Sequence, residues 1–405
     1  MTAAIIVLLC LLSFLLIWQF AGYALAMALV AKVSGKREKD YDFKPMISVI
    51  VPAYNESKVI RQRLQNVVAL DYPKDKYEVL VVESGSADGT YEIAKDFVDK
   101  LDGQSAAPTV RIVREEERKG KASAINYGAS CAKGDIVLVT DANSMFDEHV
   151  LKEIAPHFKD PKVGGCGGRF VVPNTDNDLA ASASFYWDIE CLMRRGESAI
   201  DSSCTFHGEI NAWRKGLVRA DTKMITEDLE MAVQIRRSGY RVRYEPDAIV
   251  YEPAATTSKD SIKQRKRTTL GTIQCWVKHW RYLMFPRDLY SLLIFPSHKI
   301  LNLLSPFMLL EILILYLVAW SPEIALIHFL ATAVVFMLVV GALLVVKKSE
   351  APCRAEKKSK GGVKSLFKLV YYVLLNEYLI LLAWKDYVWG KRSVLWEKAE
   401  STRQG

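Results

Sequence analysis

Apolar residues run almost unbroken from Ala3 to about Val33, with Gln19 as the one polar interruption. A helix needs roughly 20 apolar residues to cross a hydrocarbon core, so this stretch is long enough to span. It has no positive start and is longer than a cleaved signal peptide. Lys32, Lys36, Arg37 and Lys39 close it. It is expected as a retained anchor over residues 1–34, whose basic flank places the next part of the chain in the cytoplasm. From Pro45 to about Pro253 the pattern changes to short β-branched runs alternating with amphipathic stretches. Strands are predicted at Ile47–Val51, Tyr77–Val82, Val110–Val113 and Asp135–Thr140, and helices at Glu56–Leu70, Thr90–Leu101 and Lys121–Cys131. Such alternation gives an α/β domain with a mostly parallel sheet covered by helices.

Apolar density returns after Leu283. Leu283–Pro296 contains Pro286, Arg287 and Asp288 and is read as interfacial. Ile300–Trp320 and Ile324–Val346 are predicted spans, with Ser321, Pro322 and Glu323 turning between them. The basic loop that follows (Lys347, Lys348, Arg354, Lys357, Lys358, Lys360 and Lys364) belongs on the cytoplasmic side. Leu366–Trp384 is long enough for a further span, with Lys368, Asn376 and Glu377 facing protein, or it lies in the interface; a span is expected. Trp389 and Trp396 mark the tail as a headgroup-level segment. The expected divisions are therefore an anchor at 1–34, an α/β domain at 45–255, a connecting and interfacial segment at 256–298, membrane helices at 299–384 and a tail at 385–405.

Composition sharpens this picture. Half of the 405 residues are hydrophobic and a quarter are charged, as expected of one chain facing two solvents. The net charge of +8 comes without a basic stripe interleaved with aromatics in the α/β domain, which argues against nucleic acid as a partner. The 7 cysteines are scattered and form no Cys-x-x-Cys pair, so neither a disulfide framework nor a zinc site is expected.

Ligands of such a sheet sit at the carboxyl ends of its strands. Four polar turns occur there in order. The first is Pro52-Ala53-Tyr54-Asn55-Glu56, and the second runs from Glu83 through Ser84, Gly85, Ser86, Ala87, Asp88 and Gly89 to Thr90. The third is Lys119-Gly120-Lys121 with Asn126 beyond it, and the fourth is Thr140-Asp141-Ala142-Asn143-Ser144. Tyr54 offers a ring face to a base, and Glu83 an acceptor for base or ribose donors. Lys121, at a helix start, offers charge to phosphates. Asp141 and Asn143 offer two oxygens to a hard cation. Each turn alone is ordinary turn chemistry, as an isolated Asp-x-Asn shows. It is their succession at strand ends that points to a nucleotide site.

These motifs resemble the family 2 glycosyltransferases of GT-A fold. Ile225-Thr226-Glu227-Asp228 is similar to that family's Thr-Glu-Asp motif, and Gln264-Arg265-Lys266-Arg267 to its Gln-x-x-Arg. The resemblance covers about Pro45 to Thr272, and the flanking spans resemble the hyaluronan, chitin and poly-N-acetylglucosamine synthase group. It implies a membrane-integrated, inverting hexosyltransferase with a nucleotide-sugar donor, a UDP-sugar being expected. The acceptor would be lipid-linked or a glycan, beside membrane lipid. Asp228 would be the base that deprotonates the acceptor. Tyr54, Glu83, Lys121, Asp141, Glu227, Arg265 and Arg267 would bind the donor, and Asp141 and Asn143 would hold Mg2+ or Mn2+.

Other readings stand beside these. Glu227 and Asp228 can simply open a helix at its positive end. His207 can be structural, and Trp187 and Trp213 can be core residues instead of sugar platforms. The chain also departs from the family. Asn143 replaces an acid, Ser84 stands where many relatives carry a second Asp, and Thr268 stands where processive relatives have Trp. Trp276 and Trp280 lie two or more helical turns further on. Addition of one sugar or few to a lipid-linked acceptor is therefore expected. A processive polysaccharide synthase is the alternative, and an inactive nucleotide-sugar-binding scaffold a second one.

Overall fold

The computed structural model describes residues 2–35, 37–101, 107–173, 178–253, 257–318, 322–349 and 363–390. The described residues fall into two compact units. A helical unit draws on Met1–Gly35, Asp188–Ile200 and Arg265–Arg392, and a sheet unit on Lys36–Trp187 and Asp201–Gln264.

At the start of the helical unit, α1 (Thr2–Ile17) continues through a π-helical turn at Trp18–Gly22 into α2 (Tyr23–Ser34). The sheet unit follows. Its first half alternates β1 (Ile47–Ala53), α3 (Ile60–Val68), β2 (Tyr77–Glu83), α4 (Thr90–Leu101), β3 (Thr109–Arg114), α5 (Lys121–Cys131) and β4 (Ile136–Val139). Its second half holds β5 (Met145–Phe146), α6 (Val150–Ile154), β6 (Val163–Val171), the long α7 (Asp178–Ile200), β7 (Asn211–Arg214), α8 (Glu227–Arg237) and β8 (Arg241–Tyr251). The strands form one sheet in the order β3-β2-β1-β4-β7-β6-β8-β5. β1 pairs in parallel with β2 and β4, β2 with β3, and β6 with β8, while β7 runs antiparallel to β4 and β6, and β5 to β8. This is the mixed, mostly parallel α/β sheet that the alternation predicts.

Strand alternation sends successive side chains to opposite faces. Ile47, Val49 and Val51 of β1 join Tyr77, Val79 and Val81 of β2 in one apolar layer, and Ile50 joins Leu80 and Val82 in the other. At the amino ends of these strands the buried Glu78 accepts from Ser48 Oγ at 2.7 Å, from the Lys133 amide at 2.6 Å and from Arg111 at 2.8 Å. Burial opposes its charge, but these donors outweigh it and hold the carboxyl below the usual range. Ser48 and Arg111 thereby tie β1 and β3 to β2 at a fixed register. α3 begins at Ile60, later than the predicted Glu56, because Asn55 and the Glu56 amide are committed to the turn after β2.

The chain continues through α9 (Ser258–Lys278), α10 (Trp280–Met284), two π-helical turns at Tyr290–Ile294 and Pro296–Ile300, α11 (Leu301–Val318), α12 (Pro322–Ser349) and α13 (Val363–Val388). Among the described residues, Ala3–Ser34, Tyr290–Val318 and Ala325–Val346 are long and apolar enough to cross a membrane. The second of these starts ten residues before the predicted Ile300. Pro296 lies between two adjoining π-helical turns, whose wider geometry accommodates its missing N–H, and so does not end the helix. α13, read from sequence as a further span, is not among these three; it carries Asn376 and Glu377 at its centre. Most of the basic loop after Lys347, and the tail beyond Gly390, lie outside the described residues.

Within the helical unit the part of α7 after Asp188 is held by a buried polar network. His298 Nδ1 lies 2.6 Å from Glu197 and its Nε2 3.1 Å from Glu190, so the ring bridges the two acids. Tyr23 donates to Glu197 at 2.8 Å, and Arg194 pairs with Glu190 at 3.0 Å.

Gly134 marks another close approach, in the sheet unit. A Cβ there would stand 2.6 Å from the Ser48 amide nitrogen and 2.8 Å from the Met46 carbonyl oxygen, both backbone atoms that cannot swing aside. Gly134→Ala is expected to cost about 1–3 kcal/mol and to lower the thermal unfolding midpoint. Gly341→Ala, inside α12 with nothing within 4 Å of the new methyl group, should not lower that midpoint.

Candidate active site

The turns after β1, β2 and β3 are laced to one another at the carboxyl edge of the sheet. Asn55, the one described non-glycine residue with positive φ (51°), donates its amide to Ser86 Oγ and accepts from the Ala87 amide, both at 2.9 Å. Asparagine tolerates this left-handed backbone because its side chain bonds locally. The Glu56 amide donates to Thr90 Oγ1 at 2.7 Å and the Ser57 amide to Asp88 at 3.0 Å. Tyr54 is half-buried and carries the Arg118 guanidinium 4.1 Å above its ring. Glu83 is fully buried. It accepts from the Ser86 amide and, at 3.1 Å, from Arg114 Nε. Burial works against its charge, but these donors prevail and hold its carboxyl below the usual range.

Gly120, at φ 95°, turns the chain into α5 and sets Lys121 as its first residue. Lys121 Nζ lies 2.6 Å from Asp141, 3.4 Å from Glu227 and 3.3 Å from the Gly208 carbonyl oxygen. Burial disfavours the ammonium, but Asp141, Glu227 and Glu209 more than offset this and raise its pKa above the ordinary lysine value. Three predicted residues from three different elements thus meet at one point.

Carboxylate oxygens of Asp141, Glu209 and Glu252 lie within 4.8 Å of one another. Burial and repulsion by Glu252 and Asp141 push the Glu209 carboxyl well above its usual range. Glu252 is held by Ser144 Oγ at 2.5 Å. Among the described residues a second acidic group, Glu153, Glu245 and Asp247, surrounds the ammonium of Lys39 at 2.5, 3.0 and 3.5 Å, so a lysine already occupies its centre. Asn143 is buried in the turn after β4. Next to Asp141, the fully buried Arg63 donates to Thr140 Oγ1 and Asn66 Oδ1, each at 2.6 Å, and lies 4.2 Å from the Phe146 ring centre. Burial brings its pKa down to about 9 against the pull of Asp141 and Glu252.

Glu227 and the half-buried Asp228 open α8 after Thr226, so the helix-start reading of these acids is also satisfied. His207 is buried, 4.7 Å from Trp187 and 5.5 Å from Phe170 between ring centres, and its Nδ1 is 3.9 Å from Glu209. Trp213 is 1% exposed and belongs to the core.

The profile of glycosyl transferase family 2 matches residues 48–220, and that of glycosyl transferase family group 2 matches residues 136–344, just over half of the chain. The chain belongs to the family 2 glycosyltransferases. It is 32% identical over 238 residues to the Bacillus subtilis protein named "Probable glycosyltransferase YdaM" (56% of this chain, 55% of the relative). It is 30% identical over 231 residues to a poly-β-1,6-N-acetyl-D-glucosamine synthase of Staphylococcus aureus (56% and 54%). The chain thus spans about half the length of these curated relatives. A solved mannosyltransferase, PcManGT from Pyrobaculum calidifontis in complex with GDP-Man and Mn2+, aligns over 97% of this chain and 100% of its own, with a TM-score of 0.67 and 25% identity. The GT-A fold expected from the motifs is therefore present.

In this glycosyltransferase the sheet unit brings Lys121, Asp141 and Glu227 together and leaves Tyr54 and Glu83 in the two laced turns. Arg265 and Arg267 lie on the part of α9 that belongs to the helical unit, on either side of Lys266, which pairs with Asp386 of α13 at 2.5 Å. Trp276 packs against Trp384 at 6.0 Å, and Trp280 against Phe285 at 6.1 Å. Glu209, Glu252, Arg63 and the Gly208 carbonyl were not anticipated. Glu252 had a usable signal, an acid directly after a strand and before Pro253. Glu209 is placed by pairing across the sheet, which a local pattern does not reveal.

Proposed function

We propose that the chain transfers a sugar, with inversion, from a nucleoside-diphosphate sugar to a lipid-linked acceptor, from a sheet unit on the cytoplasmic face of a membrane. The observation that carries this reading is the meeting of Lys121, Asp141 and Glu227 at the strand ends, each of them in a family motif. The three apolar helices and the basic residues flanking the first of them support the membrane placement.

In this reading the acceptor hydroxyl loses its proton to Asp228 while its oxygen attacks the anomeric carbon. The bond to the diphosphate breaks on the opposite side, and the nucleoside diphosphate leaves with the electron pair. A carboxylate at a helix start suits the base role. Lys121 faces the departing charge together with the amino end of α5. Asp228→Asn is expected to abolish transfer in a radiolabelled-donor assay while leaving nucleotide affinity within about threefold. Near-normal turnover would refute the role.

The donor set suits a divalent cation. Three carboxylates lie close enough to share one, and oxygen ligands are what Mg2+ and Mn2+ require. We assign Asp141, Glu209 and Glu252 to that ion, with Asn143 adding a neutral oxygen to the set expected from sequence. When bound, the ion would offset the charge developing on the diphosphate. Glu252→Gln is expected to weaken Mn2+ binding by about tenfold or more, read by electron paramagnetic resonance of the free ion without substrate. Unchanged Mn2+ affinity would remove Glu252 from the set.

Short products follow from the same reading. A processive enzyme must hold the growing end between additions, and Thr268 gives no aromatic face for it. A glycan inside hydrocarbon would leave hydroxyls unpaired at several kcal/mol each, in rough terms, and the three helices among the described residues that are apolar enough to cross provide little wall for a pore. The identity to a poly-N-acetylglucosamine synthase is what favours the processive alternative. Native membranes incubated with labelled UDP- and GDP-sugars should yield organic-extractable products of one or a few sugars. A long lipid-free polymer made by the purified chain would overturn this and establish the synthase reading.

A further inference from the structure

Two carboxylates stand where β2 and β3 leave the sheet, and their situations differ. Glu83 is spent on the protein: it is fully buried, one oxygen takes the Ser86 amide and the other takes Arg114 Nε. Its neighbour Ser84 stands where many relatives carry a second acid. The Ser84 hydroxyl donates to Glu115 Oε2 at 2.7 Å, and Ser123, in the first turn of α5, donates to Glu115 Oε1 at 2.7 Å. The Glu115 amide donates to the Glu83 carbonyl at 2.9 Å, so its backbone continues the β2–β3 ladder. Glu115 is half-buried, whereas the next two acids, Glu116 and Glu117, are exposed.

Each Glu115 oxygen accepts one hydroxyl and keeps a further lone pair, because a carboxylate has about four acceptor positions. The carboxylate is therefore oriented without being used up. The turn that carries Tyr54 adjoins it. Ser84 donates its amide to the Ala53 carbonyl at 3.0 Å, and Asn55 donates to Ser86 at 2.9 Å. The Tyr54 ring and the Arg118 guanidinium form a flat pair of the kind on which a base stacks.

We infer that Glu115 reads the nucleobase of the donor, selecting guanine over uracil. The inference rests on the nucleoside-diphosphate reading above. Guanine presents two adjacent N–H donors, on N1 and N2, which match two carboxylate oxygens as a charge-assisted pair. Uracil presents one N–H between two carbonyls, and those oxygens meet a carboxylate unfavourably. Ser84 and Ser123 position the acid, and the Tyr54–Arg118 pair accounts for the stacking.

The test is calorimetric binding of GDP and UDP, with Mn2+ present, to the purified full chain in detergent. Wild type should bind GDP more tightly than UDP. Glu115→Gln should weaken GDP binding by about tenfold, the scale of one charge-assisted contact, with UDP affinity changed less than about threefold. Glu116→Gln should change nothing. If Glu115→Gln fails to fold, Ser123→Ala, which frees one side of the carboxylate, should show the same selective loss in smaller measure. Equal affinity for GDP and UDP in wild type, or parallel loss of both in the variants, overturns the inference and leaves the transferase reading intact. Failure of any nucleoside diphosphate to bind wild type overturns both.

Discussion

Four carboxylates gather near the carboxyl ends of the strands, and Lys121 stands among them: Asp141 and Glu227 within ion-pair distance, Glu209 close enough to raise its pKa, and Glu252 beside Asp141 and Glu209. Like charges at such separations repel by several kcal/mol at the effective dielectric near a protein surface, of order 4 kcal/mol at 4 Å. A fixed ammonium lowers that cost, and its placement depends on three separate features of the chain. Gly120 adopts a positive φ that most residues avoid, α5 begins at Lys121 itself, and the Gly208 carbonyl accepts from Nζ. The meeting point joins the amino-terminal half of the sheet unit, through Lys121 and Asp141, to the part that follows β7, through Glu227. It thus ties the two parts of the sheet unit together at the place where the proposed chemistry would occur.

Much of this is legible in the sequence. The alternation of short strands and amphipathic helices located β1 to β4 and α4 and α5 to within a residue or two, because strand and helix periods are local properties. Lys121, Asp141 and Glu227 were legible because each sits in a motif at a strand or helix end. Glu209, Glu252 and Arg63 were not. Glu209 meets Asp141 only after β7 pairs with β4, and Glu252 only after β5 pairs with β8. Arg63 looks like any polar residue of an amphipathic helix, and only the structure shows it with no exposed surface under Thr140. The helix containing Pro296 was cut short for a related reason. A proline signals a helix end locally, but a π-helical turn absorbs it.

Glu83 and Glu115 show why residue type alone does not assign a role. Both are glutamates at the edge of the same two strands. One is enclosed with each oxygen answered by a protein donor, among them a guanidinium and a backbone amide. The other is held by two neutral hydroxyls that leave it acceptor capacity. Charged donors from the protein turn an acid into a brace. Neutral donors orient it and leave its charge available. A sequence pattern reports the acid, and only the census of its donors distinguishes the two cases.

In the helical unit, too, ionisable groups are buried among apolar helices. Glu190, Glu197, Arg194 and His298 are each at most 8% exposed, a placement that is costly for any one of them alone. Together they answer one another: His298 bridges the two glutamates, Arg194 takes the remaining side of Glu190, and Tyr23 donates to Glu197. Removing one partner leaves a buried charge unanswered, which costs far more than the pair gains. Sliding α7 by one turn along α2 would part Tyr23 from Glu197 and also move Gly196 from the position where a Cβ would stand 2.2 Å from the Met27 carbonyl oxygen. Apolar helix faces tolerate such slips, since one leucine contact replaces another at little cost. The polar network does not, and it therefore sets the register of α7 against α2.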